Sequence, residues 1–216
     1  MNRILALRTG LVSTVILTVG SLALAAGAEH AGDPRCQSAT APAAVPSSLL
    51  SIIVELVTGS FGDAVKTRVL DKADMSDGGL LRRDDLPPDS AIGYLRNGRS
   101  NLFHLPVVAA GDGGVYVSLD DMSALWTSLP AGDIVSTATM EMMMTAESVC
   151  DERRSYGRGF WIGNGGDRVW LEGMDAGVSF QSGIYRSSGN RYTVMANNSS
   201  DAWPLVKAIT QPESRL

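Results

Sequence analysis

From Tyr156 onward the apolar residues recur at every second position, and this period limits the available folds more than any other feature of the chain. "YGRGFWIG" gives way to "NGGD", "RVWLEG" passes through a glycine-marked bend into "VSFQSGIYR", and "SSGN" turns into "RYTVMANNS". Such alternation puts successive side chains on opposite faces of a strand, and short Gly- and Asn-rich turns make neighbouring strands antiparallel. The expected unit is a meander, closed by a helix from about Asp201 to Ile209 whose apolar residues are Trp203, Leu205, Val206 and Ile209. Pro204 is tolerated because it falls in the first turn.

Upstream the period is helical. Leu49, Leu50, Ile52, Ile53, Leu56 and Val57 predict one helix, which Thr58-Gly59 stops. Ser60 with Asp63 resembles a capping box and opens a second helix through Val65, Val69 and Leu70, so the two should form a hairpin. Asp74 to Ala110 reads as a long loop region. Ser118 to Asp121 is a second capping box, after which Met122, Leu125, Trp126 and Leu129 line one helix face, and Met140, Met143 and Met144 make a further core stripe. "GDGG", Gly111 to Gly114, lacks the GK[ST] of a phosphate loop and reads as a tight turn. Helices first, an antiparallel sheet after them and a closing helix describe an α+β domain, an antiparallel sheet flanked by helices.

The amino-terminal end has a different character. Arg3 and Arg8 precede an apolar run from Leu11 to Leu24, and Ala26-Gly27-Ala28 offers small residues to signal peptidase, so residues 1–28 are expected to be a cleaved signal. The alternative is an uncleaved membrane anchor, since Leu11 to Ala28 is about the minimum span. Residues 29–48, rich in Ala, Pro, Ser and Thr, have the composition of a disordered linker, leaving 49–216 as the domain. Cleavage would remove Arg3 and Arg8 and take the formal net charge from -5 to -7. Without clustered Lys and Arg, nucleic-acid binding is not expected. Export would place Cys36 and Cys150 in an oxidising compartment, where they are expected either to form a disulfide or to stay as two thiols. Neither lies in a metal-ligand pattern and the histidines are His30 and His104, so no metal and no cofactor is expected.

The order and wording of these segments resemble the serine β-lactamase and D,D-peptidase family, in its class C and esterase-like branch. The resemblance runs from about Leu49 to Ile209 and concerns the carboxyl-terminal part of that family. "LLSIIVELVTGSFGDAVKTRVLDKADMSD" is similar to its helix pair, "GDGGVYVSLDDMSALWTSL" to its Gly-Gly-x-x-Ser-x-x-Asp loop and helix, and "LEGMDAGVSF" and "YTVMANNSSDAWPLVKAI" to its final strands and helix. The implied fold is a truncated β-lactamase or transpeptidase-like one, lacking amino-terminal strands and the catalytic helix. A sheet missing edge strands is expected to be marginally stable, to aggregate or to take a partner. The chain would then be a remnant of a longer gene.

The implied chemistry is acyl transfer on a serine, carried by three elements. The first, Ser-x-x-Lys, places a base one turn from the nucleophile. The lysines here are Lys66, Lys72 and Lys207, and three residues before them stand Asp63, Val69 and Pro204, so the motif is absent. The second, Tyr-x-Asn, aligns with Pro42 and Ala44, neither of which has a polar side-chain atom. The third, Lys-Thr-Gly or His-Ser-Gly, reads Leu171-Glu172-Gly173, with leucine at the cationic or imidazole position. Met174 N–H is the one expected oxyanion donor, because a backbone donor does not depend on residue type.

Three readings follow: an exported domain of this family without acyl-transfer activity, an active serine hydrolase with relocated or partner-supplied groups, and a secreted binding module. The expected partners are a peptidoglycan-like or acyl small molecule, or a protein at the open sheet edge. Other candidate groups have simpler readings. Glu172 and Asp175 suggest an acid/base pair but suit a strand edge and a turn, Ser118 suits a helix cap, and Ser179 lies on a strand. Neither serine has a histidine or lysine nearby in sequence, and His104, the only histidine inside the domain, would need a partner in space to act as a base.

Overall fold

The computed structural model describes residues 47–108, 111 and 113–211. The expected signal segment, linker, Pro42, Ala44 and Cys36 lie outside the described residues. Within them no helix is long and apolar enough to cross a membrane.

Helix α1 is Ser47–Thr58 and α2 is Phe61–Val65. Ser60 Oγ accepts the Asp63 N–H at 3.2 Å, which starts α2. The second helix differs from expectation: at Lys66 the winding widens to a π-helical turn, Lys66–Leu70. Val65, Val69 and Leu70 are all buried, so the wider turn keeps the apolar side toward the core. As expected, residues 74–108 hold no extended strand, only isolated bridges between Gly79 and Tyr116 and between Tyr94 and Ser100. Helix α3, Leu119–Ala131, begins at a complete capping box, with Ser118 Oγ accepting Asp121 N–H and Asp121 accepting Ser118 N–H. It ends at Gly132, whose φ of 89° only glycine adopts without strain. Helix α4 is Thr137–Met143, with Met140 and Met143 buried.

The sheet has six antiparallel strands: β1 Ser148–Asp151, β2 Arg154–Tyr156, β3 Trp161–Gly163, β4 Arg168–Asp175, β5 Val178–Tyr185 and β6 Arg191–Ala196. They lie side by side in chain order. The β1–β2 hairpin precedes the meander read from sequence and extends it. Helix α5, Ala202–Thr210, packs on one face through Ala202 and Val206 against Val194, while Leu205 and Ile209 stay exposed.

Opposite faces of the sheet have different roles. In the β4–β5 ladder Leu171 faces Ser182, and Ser182 Oγ accepts a 2.8 Å hydrogen bond from Trp126 Nε1, so this face looks toward α3. Leu171, Phe180 and Trp126 are fully buried there. The alternate residues Arg168, Trp170 and Glu172 lie on the α5 face. Trp170 stacks on Trp161 with centroids 6.1 Å apart.

Candidate functional site

The stretch that should form the wall of a catalytic cleft is Leu171–Asp175 and the turn after it. Strand β3 pairs with β4 only through Arg168, Val169 and Trp170. Beyond Trp170 the outer edge of β4 has no strand partner among the described residues, and the antiparallel ladder turns every second N–H and C=O of β4 outward there. Gly173 is half-buried and Met174 is 64% exposed, so this edge is accessible.

The turn at the end of the wall is held firmly. Gly177 has φ of 78°, and a Cβ there would lie 2.9 Å from Tyr94 N. A Cβ on Gly93 would overlap Gly177 O at 2.4 Å, so the 91–101 loop and the turn meet backbone to backbone. Asn101 Nδ2 donates to Ala176 O at 2.9 Å, Tyr94 N–H to Asn197 O at 2.8 Å, and Gly177 N–H to Ser199 Oγ at 2.9 Å. The wall is therefore built to be rigid, as a preorganised site requires.

Its side chains are held in structural contacts. Leu171 has no exposed surface and no polar atom. Glu172 and Asp175, three positions apart on a strand, fall on opposite faces and form no pair. Glu172 Oε2 accepts from Trp170 Nε1 at 3.0 Å and from Gln181 Nε2 at 2.7 Å, and Asp175 Oδ1 accepts the Ala176 N–H in the turn. Ser118 is the helix cap. Ser179 is fully buried, donating to Asn198 O at 2.8 Å and accepting the Ala202 N–H at 3.3 Å. His104 is exposed in the loop region. Cys150 is disulfide-bonded on β1, and Cys36 lies outside the described residues.

Sequence reasoning missed the network on the α5 face. Gln181 Oε1 accepts from Arg168 Nη2 at 2.6 Å and from the Tyr192 hydroxyl at 2.8 Å, and the Arg168 guanidinium lies 4.2 Å over the Trp170 ring. Burial pushes the Tyr192 phenol up to about 12, against the opposing charge of Arg168. Arg168, Trp170 and Gln181 of this network line an open groove of about 1370 Å3, together with Arg154, Trp203 and Lys207. A signal for it was present: a two-residue turn at Ala176-Gly177 sets Glu172 opposite Gln181, and Arg168 opposite Tyr185.

A family model described as Beta-lactamase matches residues 44–204. Among solved structures, a penicillin binding protein from Bacillus halodurans is similar at 34% identity and TM-score 0.71, covering 74% of this chain and 52% of that one. An octameric penicillin-binding protein homologue from Pyrococcus abyssi has 22% identity and TM-score 0.60, with 74% and 40% covered. A D-stereospecific amidohydrolase from Streptomyces sp. has 19% identity and TM-score 0.60, with 76% and 52% covered. The chain thus spans about half the length of these structures. No match was found among curated proteins.

Proposed function

The chain belongs to the β-lactamase family, and from that premise we propose that it is an exported domain of this serine hydrolase fold without acyl-transfer activity of its own. One observation carries the reading: at the position where the resemblance asks for a lysine or histidine, Leu171 is fully buried in the core. A hydrocarbon there neither polarises an acyl group nor takes part in proton transfer. Residues 1–216 also hold no serine three places before a lysine. A single outward N–H, such as that expected at Met174, has no acyl intermediate to stabilise without a nucleophile, since the parts of such a site act as a unit. Incubation of the purified chain with a fluorescent penicillin and with a fluorophosphonate is expected to leave it unlabelled by both. Stoichiometric covalent labelling by either would overturn the proposal.

A second reading, catalysis completed by another chain, is favoured by the apolar side chains that α1 leaves in solvent. Leu56 and Val57 are 80% and 70% exposed. On this reading the same probes label a complex in which the chain is bound to a partner that supplies the serine and lysine.

A further inference from the structure

The groove on the α5 face is larger than one small ligand needs. Its volume of about 1370 Å3 exceeds the roughly 300–1,000 Å3 usual for small-molecule pockets. Several polar groups that line it are already engaged, Arg154 with Asp151 and both Arg168 and Glu172 with Gln181. Glu152, Arg153 and Lys207 also line it, are exposed, and form no ion pair among the described residues. Beside them stands the half-buried ring of Trp203. Charges of both signs next to an aromatic ring suit a polypeptide that itself carries both signs.

The chain brings such a polypeptide to the groove. Cys150 is disulfide-bonded, and the other cysteine of the chain is Cys36. The Cα atoms of a bridged pair lie about 4.4–6.8 Å apart, and the residue after Cys150 begins the run Asp151 to Arg154 that lines the groove. A bridge between Cys36 and Cys150 therefore anchors the tail at the groove's β1 end. Near Cys36, Glu29 and Asp33 offer carboxylates to Arg153 and Lys207, and Arg35 offers a cation to Glu152. Pro42 and Pro46 belong to an Ala- and Pro-rich run, the kind of segment that packs on aromatic side chains at low entropic cost. We propose that this groove is the docking site of the chain's own amino-terminal tail, residues 29–46, pinned there by a Cys36–Cys150 disulfide. A short tether raises the local concentration of the tail to about the millimolar range, so weak contacts suffice. The inference does not rest on whether the chain performs catalysis.

Hydrogen exchange read by mass spectrometry tests the docking. A peptide map of the purified chain, prepared without reductant, is expected to show Cys36 joined to Cys150 within one copy. Amides of residues 37–46 should exchange about tenfold more slowly than in Cys36→Ser. Arg153→Glu combined with Lys207→Glu leaves the disulfide in place and should restore fast exchange, which loss of a mere tether contact would not explain. Excess dithiol, itself oxidised to a disulfide while the S–S bond of the protein opens to two thiols, should also restore it. An unlinked Cys36 would overturn the proposal, as would equal exchange in the native chain and Cys36→Ser. A link between two copies would make a second copy the occupant and overturn it too, and unchanged protection in the charge-reversed chain would put the tail outside the groove.

Discussion

Individual residues show how burial sets the behaviour of polar groups on this fold. Tyr192 is nine-tenths buried and keeps its proton to about pH 12, whereas a tyrosine in an unfolded chain ionises near 10.0. The folded state therefore holds more protons in that interval. The stability contributed by Tyr192 is complete below pH 10 and is lost as pH rises toward 12. Alkaline titration followed by tyrosinate absorbance should show one phenol ionising only together with unfolding, and Tyr192→Phe should remove that late component. Gly183 is constrained by space: a Cβ would sit 2.8 Å from Trp170 Cβ and 2.8 Å from the Tyr192 hydroxyl oxygen. Gly183→Ala should lower the urea midpoint, with a loss of about 1–3 kcal/mol. At this scale the cap chemistry and the side chain at position 171 were legible, because a leucine and the positions of Lys66, Lys72 and Lys207 can be read directly. The Arg168–Gln181–Tyr192 network was not, because it requires three residues from three strands in the correct register.

At the level of elements, local chemistry and packing agreed unevenly. The cap of α3 was legible because Ser118 and Asp121 satisfy each other within one turn, and the structure shows both bonds. Burial raises the Asp121 pKa while its hydrogen bonds from Ser118 and Asp77 oppose the shift, so the carboxylate depends on those donors. Ser118→Ala should cost about 1–2 kcal/mol by urea denaturation, with the slope unchanged. The π-helical turn was not legible, since a buried Val65, Val69 and Leu70 suit either winding. The β1–β2 hairpin escaped because strands of four and three residues carry too few alternations to register as a period. By contrast, β4 and β5 pair over eight positions, and their alternation was plain.

For the whole molecule, the fold class was legible and the open surfaces were legible only as an expectation. Leu49, Ile52, Leu56 and Val57 project from α1 at helical spacing, and each is more than two-fifths exposed. Their contiguity sets them apart from scattered surface apolar residues. Replacing Ile52 and Leu56 together by glutamate should raise the monomer fraction in light scattering while leaving Tm nearly unchanged. A large fall in Tm would instead show that these side chains contribute to the domain's own core. The strand order has a different consequence. Because every strand pairs with its neighbour in the chain, each sheet contact closes a short loop, and sequence-local pairing favours rapid assembly. Refolding of the hairpins from Ser148 to Ala196 can thus pair each strand with the one just formed, while α3 must still arrive to cover the face that holds Leu171, Phe180 and Ser182.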